Sequence, residues 1–166
     1  MRIPIAIAGA VLALSALLWF FVLQPERQAV SFGAAELLAD GIGHHERKEY
    51  DLALEVLQQV PAGAPEKARA LYYAGSSHMM LKDYETAAEN LEQALALNTR
   101  DTGTLYALGV VYYKLGNLKL ARGYFASVLE INPADEHAKG LMDIMAGLER
   151  QSETTSTTEG EEGTVN

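Results

Sequence analysis

Residues 68–101 read ARALYYAGSSHMMLKDYETAAENLEQALALNTRD. The first half sets Leu71, Ala74, Gly75 and His78 on one helical face, and the second sets Ala87, Leu91, Ala94 and Leu95 on another. Apolar recurrence at three and four residues is the period of an amphipathic helix. Only Lys82-Asp83 interrupts it, so the stretch predicts a helical hairpin with a very short turn. The pattern returns on both sides at an interval of 34 residues. Gly41, Gly75 and Gly109 form one column; Leu37, Leu71 and Leu105 another; Ala53, Ala87 and Ala121 a third. Leu57/Leu91/Phe125, Val60/Ala94/Val128 and Pro65/Thr99/Pro133 keep the same register. A period of this length is the signature of stacked hairpins, each unable to bury its apolar face alone.

The columns have physical reasons. A glycine inside a helix costs about 1 kcal/mol against alanine, so three at one spacing need a packing role. The expectation is that Gly41/Ala53, Gly75/Ala87 and Gly109/Ala121 let two helix backbones approach closely. Turns are expected at Lys48-Glu49, Lys82-Asp83 and Gly116-Asn117. Pro65 and Pro133 suit the first turn of a helix, where the missing N–H is no loss. Asn132 ahead of Pro133 and Asp135 reads as an N-cap followed by a first-turn acid.

At these residues the chain resembles the tetratricopeptide repeat family, over about residues 34–135. The third copy carries the pattern best, as Leu105, Leu108, Gly109, Tyr112, Ala121, Phe125, Val128 and Pro133. The first two copies depart from it: His44 and His78 stand where the tyrosine belongs, and Asp40 replaces the leucine of the first copy. The second helix of that copy is expected to stop early, at Val60-Pro61. The resemblance implies an all-α, right-handed α-solenoid of three hairpins, at residues 34–67, 68–101 and 102–135, with a capping helix at 136–150. It also implies a concave face formed by the first helix of each hairpin. By register that face holds Leu38, Ile42 and His45, then Arg69, Tyr72, Ser76 and Met79, then Tyr106, Val110, Tyr113 and Lys114. Aromatic residues and methionine along a groove are the composition of a protein or peptide contact surface. The cationic clamp by which some family members hold a C-terminal carboxylate is missing, because Leu38, Ile42, Tyr73, Gly103 and Ala107 occupy those places.

The flanks carry different signals. Ile3 to Leu23 is an uncharged run of 21 residues, largely apolar; at about 1.5 Å rise per residue it spans one hydrocarbon core. Trp19, Phe20 and Phe21 lie toward its far end, where aromatic rings suit the membrane interface. Residues 1–24 therefore read as a transmembrane signal-anchor, with a cytoplasmic N-terminus and the repeats on the translocated side. A cleaved signal peptide ending at Ala29-Val30-Ser31, releasing a secreted domain, is the competing reading. Residues 25–33 are expected to be a polar connector, with Pro25 stopping the preceding helix. In residues 136–150, Ala138, Leu141, Met142, Met145 and Leu148 make one apolar stripe, as a terminal cap needs. Residues 151–166, with four glutamates and no base, read as a disordered acidic tail.

Composition narrows the function. No cysteine is present, which removes disulfides, thiolate metal sites and thiol nucleophiles. A net charge of −9 without a basic stripe argues against nucleic acid. His44 and His45 are adjacent, so on a helix they point about 100° apart and cannot share one metal. His45-Glu46 lacks the second histidine of a zinc-protease helix, since Glu49 stands there. No serine is set against a histidine and an acid. The chain is thus expected to be a non-enzyme without cofactor or metal: an adaptor or scaffold that binds a protein or peptide segment at a membrane surface, with envelope-complex assembly as one setting. Two rivals are a self-assembling homo-oligomer and a metal- or haem-handling accessory using His44, His45, His78 or His137.

Overall fold

A computed structural model of the chain describes residues 25–161. Within them lie seven α-helices and no strand: α1 Pro25–Glu46, α2 Tyr50–Leu57, α3 Lys67–Met80, α4 Tyr84–Leu97, α5 Thr102–Lys114, α6 Leu118–Ile131 and α7 Glu136–Glu161. α1/α2, α3/α4 and α5/α6 are the expected hairpins, and each packs chiefly on the next, with α7 closing against α6. That nearest-neighbour pattern is the organisation of a solenoid. α2 ends at Leu57, well short of α4 and α6 in their own repeats.

Three core clusters run along the stack. Leu57, Leu91 and Phe125, one per repeat, are 1%, 0% and 0% exposed. Burying side chains of this size stabilises by roughly 2–3 kcal/mol each. A Cβ added at Gly41, Gly75 or Gly109 would lie 2.5–2.6 Å from Leu57, Leu91 or Phe125 respectively. The glycine column therefore makes room for this larger column. The glycine–alanine pairing is seen beside it at Gly75, where the Ala87 carbonyl would lie 3.1 Å from an added Cβ, and Ala53, Ala87 and Ala121 are fully buried.

All three hairpin turns share one geometry. Lys48, Lys82 and Gly116 adopt φ of 64°, 66° and 76°, the left-handed region. The following N–H groups bond back across the turn, Glu49 to His44, Asp83 to His78 and Asn117 to Tyr112, each at 2.9 Å. Lys48, Lys82 and Gly116 themselves bond to His45, Met79 and Tyr113. This pair of bonds is a Schellman motif, which satisfies carbonyls that the helix end leaves orphaned. The next helix starts at once, because Asp83 and Asn117 accept bonds from the Thr86 and Leu120 N–H groups.

Several boundaries differ from expectation. α1 is helical from Pro25, where the described residues start, so residues 25–33 are helical rather than a connector. Whether a preceding helix stops at Pro25 falls outside the described residues. α7 continues past Arg150 to Glu161, into the segment expected as a disordered tail. Once nucleated, a helix propagates at little cost through serine and threonine, which are only a few tenths of a kcal/mol below alanine. Asn132 caps the end of α6, with Oδ1 accepting from Ala134 N–H at 3.2 Å; Asp135 is the N-cap of α7, accepting from Ala138 N–H at 2.9 Å. Pro65 and Pro133 precede α3 and α7 rather than opening them. The run Ile3–Leu23 lies outside the described residues, and among those described no helix is long and apolar enough to cross a membrane.

Candidate functional site

The first helices of the second and third hairpins, α3 and α5, meet the start of α7 around a hollow of about 460 Å³. Five residues expected on the concave face are brought together there: Tyr72, Ser76 and Met79 from α3, and Tyr106 and Val110 from α5. Each is half-buried. Gly103 keeps the floor flat: a Cβ at that position would touch the Tyr72 ring at 3.8 Å. Tyr106 stands edge-on to Phe125 beneath it, centroids 5.5 Å apart, and to His137 at 6.5 Å. Burial, with Tyr73 and Asp101 nearby, pushes the Tyr72 hydroxyl pKa up, so it stays a neutral hydrogen-bonding group at neutral pH.

The other expected residues divide. Leu38 is corrected: at 4% exposure it belongs to the first core cluster, packed with Ala34, Ala53 and Leu57, and faces no groove. Ile42 packs against that same cluster. His45 ties the first repeat to the second. Its Nδ1–H donates to Ser77 Oγ at 2.9 Å, because the Ser77 hydroxyl already donates to the Tyr73 carbonyl at 2.8 Å. The bare Nε2 then faces the Ser76 hydroxyl at 3.5 Å, and the ring sits edge-on to both Tyr50 and Tyr73. Burial lowers its pKa below the ordinary 6.5 despite Glu46, which keeps the ring neutral. Arg69 is exposed and lines a second hollow of about 350 Å³ with Tyr72, Tyr73, Asn98 and Asp101. Tyr113 packs on the third cluster and Lys114 is exposed; neither lines a hollow described here.

The reading by register missed Thr102, Asp135 and His137 as wall residues, whereas Gly103 and Ala107, which stand at the places of the cationic clamp, line the wall as well. The signal was present, since Arg69, Gly103 and His137 are 34 apart, as are Asp101 and Asp135. Counting the period one copy further, into the capping helix, finds both.

The histidines at the tyrosine position of the first two repeats lie in the last turn of α1 and α3, and their side chains reach across the hairpin turn. His44 Nδ1 lies 2.7 Å from Glu49 Oε2, and His78 Nδ1 lies 3.2 Å from Asp83 Oδ2. In the third repeat Tyr112 instead donates to Glu92 and stacks on Tyr124. Among the described residues no three of His, Cys, Asp and Glu converge as a metal site.

An array of helical hairpins with a 34-residue register and a concave first-helix face defines a helical-repeat protein. Two sequence profiles described as tetratricopeptide repeat match residues 44–101 and 78–143, which together span more than half of the chain. The chain belongs to that family. Solved structures agree on the fold. The first repeat domain of Spaghetti (RPAP3), bound to the HSP90 peptide SRMEEVD, is 22% identical with a TM-score of 0.67, covering 71% of this chain and 94% of its own. The second such domain of human RPAP3, in complex with the HSP70 peptide SGPTIEEVD, is 19% identical with a TM-score of 0.64, covering 72% and 98%. PcrH, in complex with the chaperone binding region of PopB, is 20% identical with a TM-score of 0.58, covering 68% and 93%. No curated protein matches the chain significantly.

Proposed function

We propose that this chain is a non-catalytic adaptor that holds a segment of a partner protein in the hollow between α3, α5 and α7. The observation that carries the reading is the convergence of Tyr72, Ser76, Met79, Tyr106 and Val110 on one concave surface. Aromatic walls, a methionine that adapts its shape, and scattered hydroxyls suit a peptide better than a reacting small molecule. Similar folds whose structures contain bound peptides support the same reading. The apolar run Ile3–Leu23 supports seating this adaptor on a membrane, repeats on the translocated side, where tethering raises the local concentration of membrane partners.

Panning a random peptide library against the full chain tests the groove. Selected peptides are expected to lose binding when Val110→Arg fills the hollow, with helicity unchanged. Peptides that bind the variant as well as the parent refute the site. Resistance of the chain to high-salt extraction from membranes checks the anchor; release into the soluble fraction refutes it.

A further inference from the structure

We propose that the hollow selects a segment carrying a large apolar side chain next to a lysine or arginine. This rests on the groove reading above and adds the chemistry of the partner. The walls of Tyr72, Met79, Tyr106 and Val110 are apolar in their bulk, and Gly103 and Ala107 leave the floor free of long side chains. A hollow of about 460 Å³ falls in the range of roughly 300–1,000 Å³ that encloses ligands of moderate size. It has room for one large side chain and its flanking backbone, whose polar groups meet the Ser76 and Thr102 hydroxyls at the rim.

The charge at the edge sets the neighbour. Asp135 is the one carboxylate among the lining residues, and no lysine or arginine lines the hollow. The side chain of Asp135 is fixed in direction, because Oδ1 caps α7 by accepting from Ala138 N–H at 2.9 Å. Oδ2 has no partner among the described residues. A carboxylate that is held in place with one free oxygen favours a cation and repels an acid. The net charge of −9 gives the approaching segment the same preference at longer range.

The test uses the full chain in non-ionic detergent and four labelled peptides in one Ala/Ser host: Trp-Lys, Trp-Glu, Trp-Ser and Ala-Lys. Fluorescence anisotropy is expected to rank Trp-Lys about tenfold or more above Trp-Glu, with Ala-Lys not detectably bound. Raising salt from about 50 to about 300 mM is expected to shrink the Trp-Lys to Trp-Glu ratio. Asp135→Asn keeps the cap, since asparagine caps as well as aspartate, and is expected to narrow that ratio at least about threefold. Equal or tighter Trp-Glu binding that is still lost in Val110→Arg overturns the charge inference and leaves the groove reading standing. Trp-Lys binding that survives Val110→Arg overturns both. Binding blocked by self-association, seen as a concentration-dependent rise in mass that Val110→Arg abolishes, overturns the inference in favour of a second copy as occupant.

Discussion

His78 Nδ1 and Asp83 Oδ2 lie 3.2 Å apart across the turn between α3 and α4, and His44 and Glu49 repeat the relationship at 2.7 Å one repeat earlier. The tyrosine position of the family pattern is thus used in these two copies to clasp the hairpin from helix end to helix start. The acid is held by several groups at once. Bonds from the Thr86 side chain and N–H, and then His78, keep the Asp83 carboxyl below its ordinary pKa of 3.8.

A depressed carboxyl pKa gives stability that is present above the unfolded value and is lost as pH falls through the folded one. The thermal midpoint of the native chain is therefore expected to fall below about pH 4. Asp83→Asn keeps an acceptor for the Thr86 N–H but has no proton to gain. Its thermal midpoint is expected to start lower at pH 7 and to fall less between about pH 4 and pH 3. Parallel curves for the two proteins exclude a role for this carboxylate in acid stability.

His45 supplies a second pH effect of the same sign by a different cause. Burial lowers its pKa, so the folded chain binds fewer protons there than the unfolded chain. That stability is present above 6.5 and declines as pH falls below it. His45→Gln, which retains a donor for Ser77, is expected to flatten the stability profile between about pH 6.5 and pH 5. Urea midpoints at several pH values measure it, and an unchanged slope counts against a neutral buried ring.

Two alanine substitutions are expected to act with opposite signs. At Gly75 a Cβ meets Leu91 Cγ at 2.6 Å, whereas at Gly123, in α6, nothing lies within 4 Å. Gly75→Ala is expected to destabilise by about 1–2 kcal/mol, since an overpacking cost of roughly 1–3 exceeds the gain in helix propensity. Gly123→Ala is expected to stabilise by up to about 1 kcal/mol. Chemical denaturation of both settles the comparison, and stabilisation by Gly75→Ala disproves the packing reason for the column.

The left-handed turn residues give a third contrast. Lys48 and Lys82 hold φ above 60°, where a Cβ is strained. Lys82→Gly is expected to raise stability by about 0.5–1 kcal/mol, and Gly116→Ala to lower it by about 1 kcal/mol, with no new contact in either case. Gly116 has open space around it, so its loss would report backbone strain alone. Differential scanning calorimetry resolves shifts of this size, and no change in either variant would argue against the turn geometry.

Much of this protein is legible before folding. The 34-residue register places the three hairpins and the short turns, and marks Gly41, Gly75 and Gly109 as packing positions, because local periodicity and turn chemistry are properties of sequence neighbours. Five of the concave residues follow from the same count. The rest required distances between residues far apart in the chain. Leu38 shares the register of Tyr72 and Tyr106, yet it is buried in the first core, packed with Ala34, Ala53 and Leu57. That Gly75 makes room for Leu91 as well as for the Ala87 backbone depends on how deeply two helices interlock, which spacing leaves open. Asp135 and His137 enter the site because α7, packed on α6, brings its first turn beside Tyr106 of α5, a contact between separate elements. Sequence alone determined the repeat and its faces; tertiary packing decided which exposed face closes into a hollow and which charge stands at its edge.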